Sequence, residues 1–455
     1  MSRPRGRTAG VVLFLCCLAQ FMVVLDVTIV NVALPDIGGA LGMTAAGQQW
    51  VVNAYTLTFA GFLMFGARLA DFLGHRRVFL VGVAGFAVFS VLGGLAGSGA
   101  WLIAMRAAQG LAGAILAPST LSVLTGTFTE PAARRRALGA WTGTAATGAA
   151  AGMILGGALT QLLDWRWVLF VKGPIGLVLF LGAFRYLGRG GATPASRGRL
   201  DVLGAALVTG GLSLLVYGIV SASARGWADP VTLGGLSLGV AVLAGFALVE
   251  WRRGEAALVP LRVFRMRVPM LANAVAAVVG VALFGMYFFV AAFLRIVNGY
   301  PPLIAGMAFV PAALATAAGT LVGARTVRWL GAGRQIVLGL ATACAGMLWL
   351  SRNSGPVGYT LHLLPPLVLL GLGLGAAFVP STLAATGGLP PAEAGLASGL
   401  VSTSRQVGAA LGLAVMSSVA GRTLGPSGIA AALTTGAGVL AIGVLLGIRM
   451  VRVRA

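Results

Sequence analysis

The sequence predicts an all-α polytopic membrane protein, and three observations predict it. The chain has 455 residues, 58% hydrophobic and only 9% charged, far below the roughly 25% charge of soluble domains. Apolar runs of bilayer-spanning length, about 20 residues, follow one another from end to end. Basic residues gather in alternate loops between those runs, the pattern that orients membrane proteins.

Fourteen spans are expected, at 11–34, 50–69, 78–97, 101–125, 137–162, 166–187, 200–220, 231–251, 269–294, 303–325, 334–350, 361–382, 395–420 and 428–449. The first is too long, and lacks the small-residue cleavage site, for a removable signal peptide. Sixty-nine glycines suit helices that pack backbone to backbone in lipid. With the N-terminus inside, inner loops hold Arg68, Arg76 and Arg77, then Arg134, Arg135 and Arg136, then Arg252, Arg253, Arg262, Arg265 and Arg267. Outer loops hold little beyond Arg166, Arg225, Arg352 and Arg422. Both termini are therefore expected in the cytoplasm of a multi-pass cell-membrane protein.

The halves look related. Gly66-Ala67-Arg68, Gly74, Arg77 and Gly82 recur as Gly323-Ala324-Arg325, Gly331, Arg334 and Gly339, with a weaker echo of Gly148 and Gly152 in Gly408 and Gly412. Internal repeats of this kind mark secondary transporters, whose sites lie near the midplane between the halves. The expected organisation is a six-helix bundle over 1–187, a cytoplasmic linker over 188–199, two additional helices over 200–251, a second linker over 252–268 and a second six-helix bundle over 269–455.

The net charge of +22 does not indicate nucleic acid, because the arginines are scattered through short loops rather than gathered on one soluble face. Cys16, Cys17 and Cys344 lie in apolar spans and read as small buried hydrophobes. His75 and His362 are far apart in sequence, so no metal site and no cofactor are expected.

Asp26 is the one charge in the first span. A carboxylate in hydrocarbon costs roughly 2.5–3.5 kcal/mol on insertion scales, so it should face a partner or a wet cavity. It is expected to bind a proton or cation; a purely structural pairing is the alternative. Span 1 is centred near Met22, which places Asp26 ~6 Å toward the outer side; span 4, running the other way, places Arg106 ~9 Å toward it. The two form the natural ion pair, unless Arg106 reaches outward to the interface. Burial and a neighbouring cation act on a carboxyl proton in opposite senses, so the balance would shift with the side to which the cavity opens.

Gln109 shares a helical face with Arg106. Met22, Asp26, Gln109, Asn53, Tyr55 and Arg405 are the candidate cavity residues; Arg405 could instead reach a carbonyl. Asn31 and Gln20 point away from Asp26 and are expected to bond between helices. Lys172, the single lysine, lies near the outer end of span 6 and is expected to snorkel there. Gly148, Gly152, Gly156 and Gly157 make a bare face for another helix, moving or static. Asp71, Gly74, Arg76 and Arg77 form a candidate cytoplasmic gate, or a loop whose bases only set topology.

At these residues the chain resembles the major facilitator superfamily, and within it the fourteen-span drug:proton antiporter branch of multidrug efflux transporters. Leu25-Asp26 through Asn31-Val32-Ala33-Leu34-Pro35 resembles the first-helix motif. Leu69-Ala70-Asp71 to Gly74 and Arg76 resembles the loop 2–3 motif, and Arg106-Ala107-Ala108-Gln109-Gly110 the span 4 motif, whose Arg the family links to proton transfer. Gly148 to Gly157 resembles the span 5 antiporter motif, with Met153 where that branch usually has Pro. Trp165-Arg166-Trp167 and Pro174-Ile175-Gly176 match the span 5–6 junction.

The resemblance implies a major facilitator fold of two six-helix bundles plus two helices. It implies export of amphipathic, often cationic or aromatic compounds, antibiotics among them, by drug:H+ antiport driven by the proton gradient, without cofactor, in a monomer. A narrow exporter of an endogenous metabolite, such as an amino acid or peptide product, is the alternative. A non-transporting sensor or scaffold is a third reading, against which Asp26 and Arg106 argue. No side-chain cluster at one depth suggests an enzyme.

Overall fold

The computed structural model describes residues 6–188, 201–253, 266–353, 355–387, 394–421 and 424–454, and these are helical apart from short connections. The helices are α1 (Gly6–Ala40), α2 (Ala45–Leu73), α3 (His75–Gly94), α4 (Gly99–Thr127), α5 (Pro131–Leu162), α6 (Trp167–Phe170), α7 (Lys172–Tyr186), α8 (Val202–Arg225), α9 (Pro230–Arg253), α10 (Arg267–Gly285), α11 (Pro302–Ala308), α12 (Val310–Leu330), α13 (Ala332–Ser351), α14 (Leu364–Thr386), α15 (Ala394–Ala420) and α16 (Pro426–Arg454). Beyond α10 the helix widens into π turns at Met286–Val290 and Phe293–Val297. Twelve helical stretches among the described residues are long and apolar enough to cross a membrane. The other two expected spans correspond to α5 and α15, helices of 32 and 27 residues. Both are rich in small residues, and α15 also carries Arg405 and Gln406.

The internal repeat is geometric as well as textual. A Cβ on Gly66 would strike the Ala114 carbonyl of α4, and one on Gly323 would strike the Ala376 carbonyl of α14. On Gly82 it would come 3.0 Å from the Leu116 backbone, and on Gly339 2.8 Å from the Gly373 carbonyl. Gly74 and Gly331 close the matching turns with φ of 85° and 75°, a conformation that favours a residue without Cβ. Gly148 presses on α1 at the Phe21 carbonyl and Gly408 presses on α10 at the Ala277 carbonyl. The same glycines thus set the same close helix pairs in each half.

One buried core joins the two halves. It includes Leu25, Ile29 and Val51 from the first half with Val275, Phe288 and Phe289 from the second. A separate core, built from Val12, Cys16, Phe79, Phe86, Leu116 and Leu179 among others, stays within the first half. The shared core involves the parts of α1 and α2 remote from the chain termini, here called the far end. There the halves are also bridged by an Asp36–Arg295 ion pair of 2.7 Å and by the Leu303 N–H donating to Gln161 Oε1 at 3.1 Å.

Helix α8 lies against both halves. Its Leu212, Val216 and Val220 share a cluster with Leu57 of α2 and Ala410 and Ala414 of α15. Helix α9 packs on α8 through Gly211, Gly218, Gly235 and Gly239, and shows lipid-type side chains such as Leu233, Val240 and Trp251 on its exposed face. The hairpin is pinned at its base. Asp201 caps α8 by accepting from the Gly204 N–H at 2.6 Å, and it pairs with Arg253 of α9.

Asn31 departs from expectation. Its Nδ2 donates to the Val27 carbonyl of its own helix at 2.6 Å rather than crossing to a neighbour. A buried amide can fold back to share the carbonyl one turn earlier, using its second lone pair.

Candidate functional site

Three helices bring three charges to one point. Asp26 comes from the middle of α1, Arg106 from α4 and Lys172 from the first position of α7, and their exposures are 0%, 2% and 0%. Arg106 Nη1 donates to Asp26 Oδ2 at 2.6 Å. Lys172 Nζ donates to Asp26 Oδ1. Gln109 completes the ring, accepting from Arg106 Nη1 at 2.7 Å and donating from Nε2 to Asp26 Oδ1 at 3.0 Å. Arg106 Nε donates to the Val51 carbonyl at 3.2 Å, and its guanidinium lies 4.4 Å from the Tyr55 ring centroid. Every carboxylate oxygen is thereby satisfied by donors, which a buried ion pair requires if attraction is to offset lost hydration.

Local sequence explains the convergence. Gly110, one residue beyond Gln109, has no Cβ, and the Tyr55 carbonyl of α2 occupies that space. Arg106 and Gln109, three residues apart, project from one face of α4. Lys172 begins α7 after α6 ends at Phe170. Gly173 and Gly176 then let α7 close on α3, where an added Cβ at Gly173 would stand 3.0 Å from Val91 Cγ2. The Ser90 hydroxyl of α3 holds the α6 end by donating to the Leu169 carbonyl at 2.8 Å.

The pairing of Asp26 with Arg106 agrees with the depth argument. Lys172 does not: it is turned inward onto Asp26 instead of reaching for the interface. Near a helix start a lysine stem can go either way, and here a carboxylate in an otherwise apolar interior decides it. A clue lay in composition, since the chain's only lysine, in a sequence with 32 Lys and Arg, stands in a span rather than a loop.

The other candidates are placed as follows. Met22, Asn53 and Tyr55 are buried. Neither polar atom of the Asn53 side chain has a partner, nor does the Tyr55 hydroxyl. Such groups are the kind that water or a bound molecule satisfies. Arg405 is partly buried, stacks 4.0 Å from the centroid of the Phe378 ring and donates weakly to Ser402 Oγ at 3.4 Å.

The glycine face of α5 has two partners. Gly148, Gly152 and Gly156 meet Phe21, Leu25 and Ile29 of α1, while Gly157 meets Pro302 and Leu303 of α11 in the other half. Gly306 of α11 meets the Met153 carbonyl in return. At the proposed gate, Arg76 donates to the Phe184 carbonyl and stacks on its ring, tying α3 to α7 within one half. Gly74 is the positive-φ turn and Arg77 is exposed. The side chain of Asp71 lies outside the described residues.

Comparison with known proteins gives one consistent family. The family profile of the Major Facilitator Superfamily matches residues 16–413. A puromycin resistance protein of Streptomyces alboniger is 42% identical over 419 residues, 91% of this chain and 82% of its own length. A cephamycin export protein of Amycolatopsis lactamdurans is 42% identical over 442 residues, 96% of this chain and 90% of its own. A tetracenomycin C resistance and export protein of Streptomyces glaucescens is 39% identical, over 87% of this chain and 73% of its own. Among solved structures, a peptide transporter in complex with sulfate superposes with a TM-score of 0.73 at 16% identity, covering 97% of this chain and 94% of that one.

Proposed function

The chain belongs to the Major Facilitator Superfamily, and on that premise we propose that it exports small amphipathic antibiotics or drugs across the cytoplasmic membrane in exchange for protons. The observation that carries this reading is the buried Asp26–Arg106 pair, since an ionisable pair inside a span marks an ion or substrate pathway. The protein works as a monomer, without cofactor, with the proton gradient as its energy source. Its fourteen spans, counting α5 and α15, put both termini and the arginine-rich loops in the cytoplasm.

In this reading the far end faces outward, and the structure corresponds to the state closed to the outside. Opening outward must break the Asp36–Arg295 and Gln161–Leu303 bridges and part the α5–α11 glycine contact. The bundles then rock about the buried charges, as in alternating access. Asn53 and Tyr55 offer unpaired polar atoms to a substrate, and Arg405 stacked on Phe378 offers a cation and a ring from the second half. Asp71, Gly74, Arg76 and Arg77 form the cytoplasmic gate of the cycle.

A second reading, export of a single self-made compound, is favoured by relatives named for single antibiotics. A susceptibility panel separates the two. The chain would be expressed in an efflux-deficient host and challenged with puromycin, a cephamycin, tetracenomycin C and unrelated dyes. Raised tolerance to several supports multidrug efflux, and tolerance to one supports the narrow exporter. No change to any compound, with the protein present in the membrane, contradicts both.

A further inference from the structure

The buried cluster holds two cations and one carboxylate, so with every group in its ordinary state one positive charge is left unbalanced away from bulk solvent. Among the described residues, the charged groups acting on the lysine amine are Asp26 from α1 and Arg106 from α4, with Tyr55 of α2 lying against the guanidinium. Helix α3, packed along α7, carries its basic residues only in its first turn, at His75, Arg76 and Arg77.

Arg106 cannot give up its proton. Protonating Asp26 would set an O–H against donors already aimed at both oxygens, from Arg106, Lys172 and Gln109. It would also leave two buried cations with no anion. Losing the proton from Lys172 does the opposite, bringing the cluster to neutrality while Asp26 and Arg106 stay paired.

The chain supplies positive charge with arginine everywhere else, and this is its single lysine. A lysine is the basic residue that can be discharged on burial.

We propose that Lys172 is the group that binds and releases the transported proton, with Asp26 as its permanently ionised anchor. When the site opens outward, the amine takes a proton from water and becomes the ammonium. When it opens inward, the ammonium returns that proton to water, and the cluster is neutral on the leg that carries substrate outward. This assignment rests on the proton-antiport reading above.

The single lysine makes the test direct. The full-length protein, grown with lysine labelled in its side chain with carbon-13 and nitrogen-15 and reconstituted in lipid, gives one lysine side-chain signal. Its shifts report ammonium or amine without any substrate. The expected result is a change from ammonium to amine within the working pH range. A signal that stays ammonium throughout overturns the assignment.

A transport arm uses puromycin, or whichever antibiotic the panel selects, in vesicles under an imposed pH gradient. Lys172→Arg, which fixes the charge, is expected to lose gradient-driven transport to the level of empty vesicles. A variant coupled like the wild type overturns the assignment of Lys172 alone. A wild type that transports irrespective of the gradient overturns the antiport reading instead.

Discussion

The two bundles share a skeleton and differ in what they bury. Leu25 stands against Gly152 as Val281 stands against Gly412, so the residue after Leu25, Asp26, corresponds to Ala282. Both are fully buried, yet one is the anchor of three charges and the other is a methyl group. Small residues fix where helices approach, and they do so equally in both bundles. Among the described residues of the two bundles, the fully buried charges Asp26, Arg106 and Lys172 all belong to the first, while the second offers a largely apolar wall with Arg405 stacked on Phe378. The helices differ further along: α1 runs regularly to Ala40, whereas α10 gives way to two π turns, a distortion often found at functional positions. The second π turn carries Arg295, which binds Asp36.

The largest test of this asymmetry is Asp26→Ala against Ala282→Gly. The first strands two buried cations and is expected to cost about 3–5 kcal/mol, seen as a lower thermal midpoint in detergent and lost transport. The second is expected to cost about 1 kcal/mol, the helix penalty of glycine. Equal losses would break the comparison. The shared skeleton is tested by Gly152→Val and Gly412→Val. Each forces a side chain into a close contact, 2.9 Å from the Leu25 carbonyl in one case and 2.7 Å from Val281 Cβ in the other, and each is expected to cost about 1–3 kcal/mol by overpacking. A large effect in one bundle alone would contradict a common scaffold.

Asp36→Asn probes the bridge between the bundles. The pair is partly open to solvent, with side-chain exposures of 14% for Arg295 and 34% for Asp36, so about 1 kcal/mol is at stake. That is roughly a five-fold shift toward far-end opening, read as faster labelling of a cysteine placed at the buried Ala305 of α11. The smallest effect concerns the α8–α9 hairpin. Burial opposes the charge on Asp201, but the Gly204 N–H, a hydrogen bond with Glu250 and the Arg253 guanidinium outweigh it and hold the carboxyl below the ordinary carboxylate range. Its contribution to stability is therefore present above the ordinary carboxylate value and is lost as pH falls through the lowered one. Protection of the hairpin-base amides, taken relative to their intrinsic exchange rate, is expected to fall on acidification in the wild type and to be independent of pH in Asp201→Asn.

Much of this was legible in the sequence, for physical reasons that also mark where reading stopped. A lone carboxylate in an apolar run demands a cation at its own depth, and depth follows from rise per residue, so Asp26 and Arg106 could be paired on paper. The repeated glycines located the close helix pairs because only small residues permit them. Lys172 was misread because depth alone does not say which way a helix is turned, and the rotation of α7 is set by the break at Val171 and by Gly173 and Gly176 against α3. Asn31 was misread because a helical wheel shows direction but not that an amide can fold back onto the carbonyl one turn earlier. The Asp36–Arg295 bridge joins residues 259 positions apart, which no local pattern connects. The seat of α8 between α2 and α15 depends on how the bundles meet, which lies beyond periodicity.

The most direct measurement of the antiport account uses vesicles holding purified protein and the antibiotic selected by the panel, at equal concentration on both sides, with a pH gradient as the only driving force. The account predicts that the wild type accumulates the antibiotic against its own gradient toward the acidic side, with matching proton flux the other way, and that Asp26→Asn does neither. Accumulation that ignores the pH gradient, or an Asp26→Asn protein that accumulates as the wild type does, would contradict it.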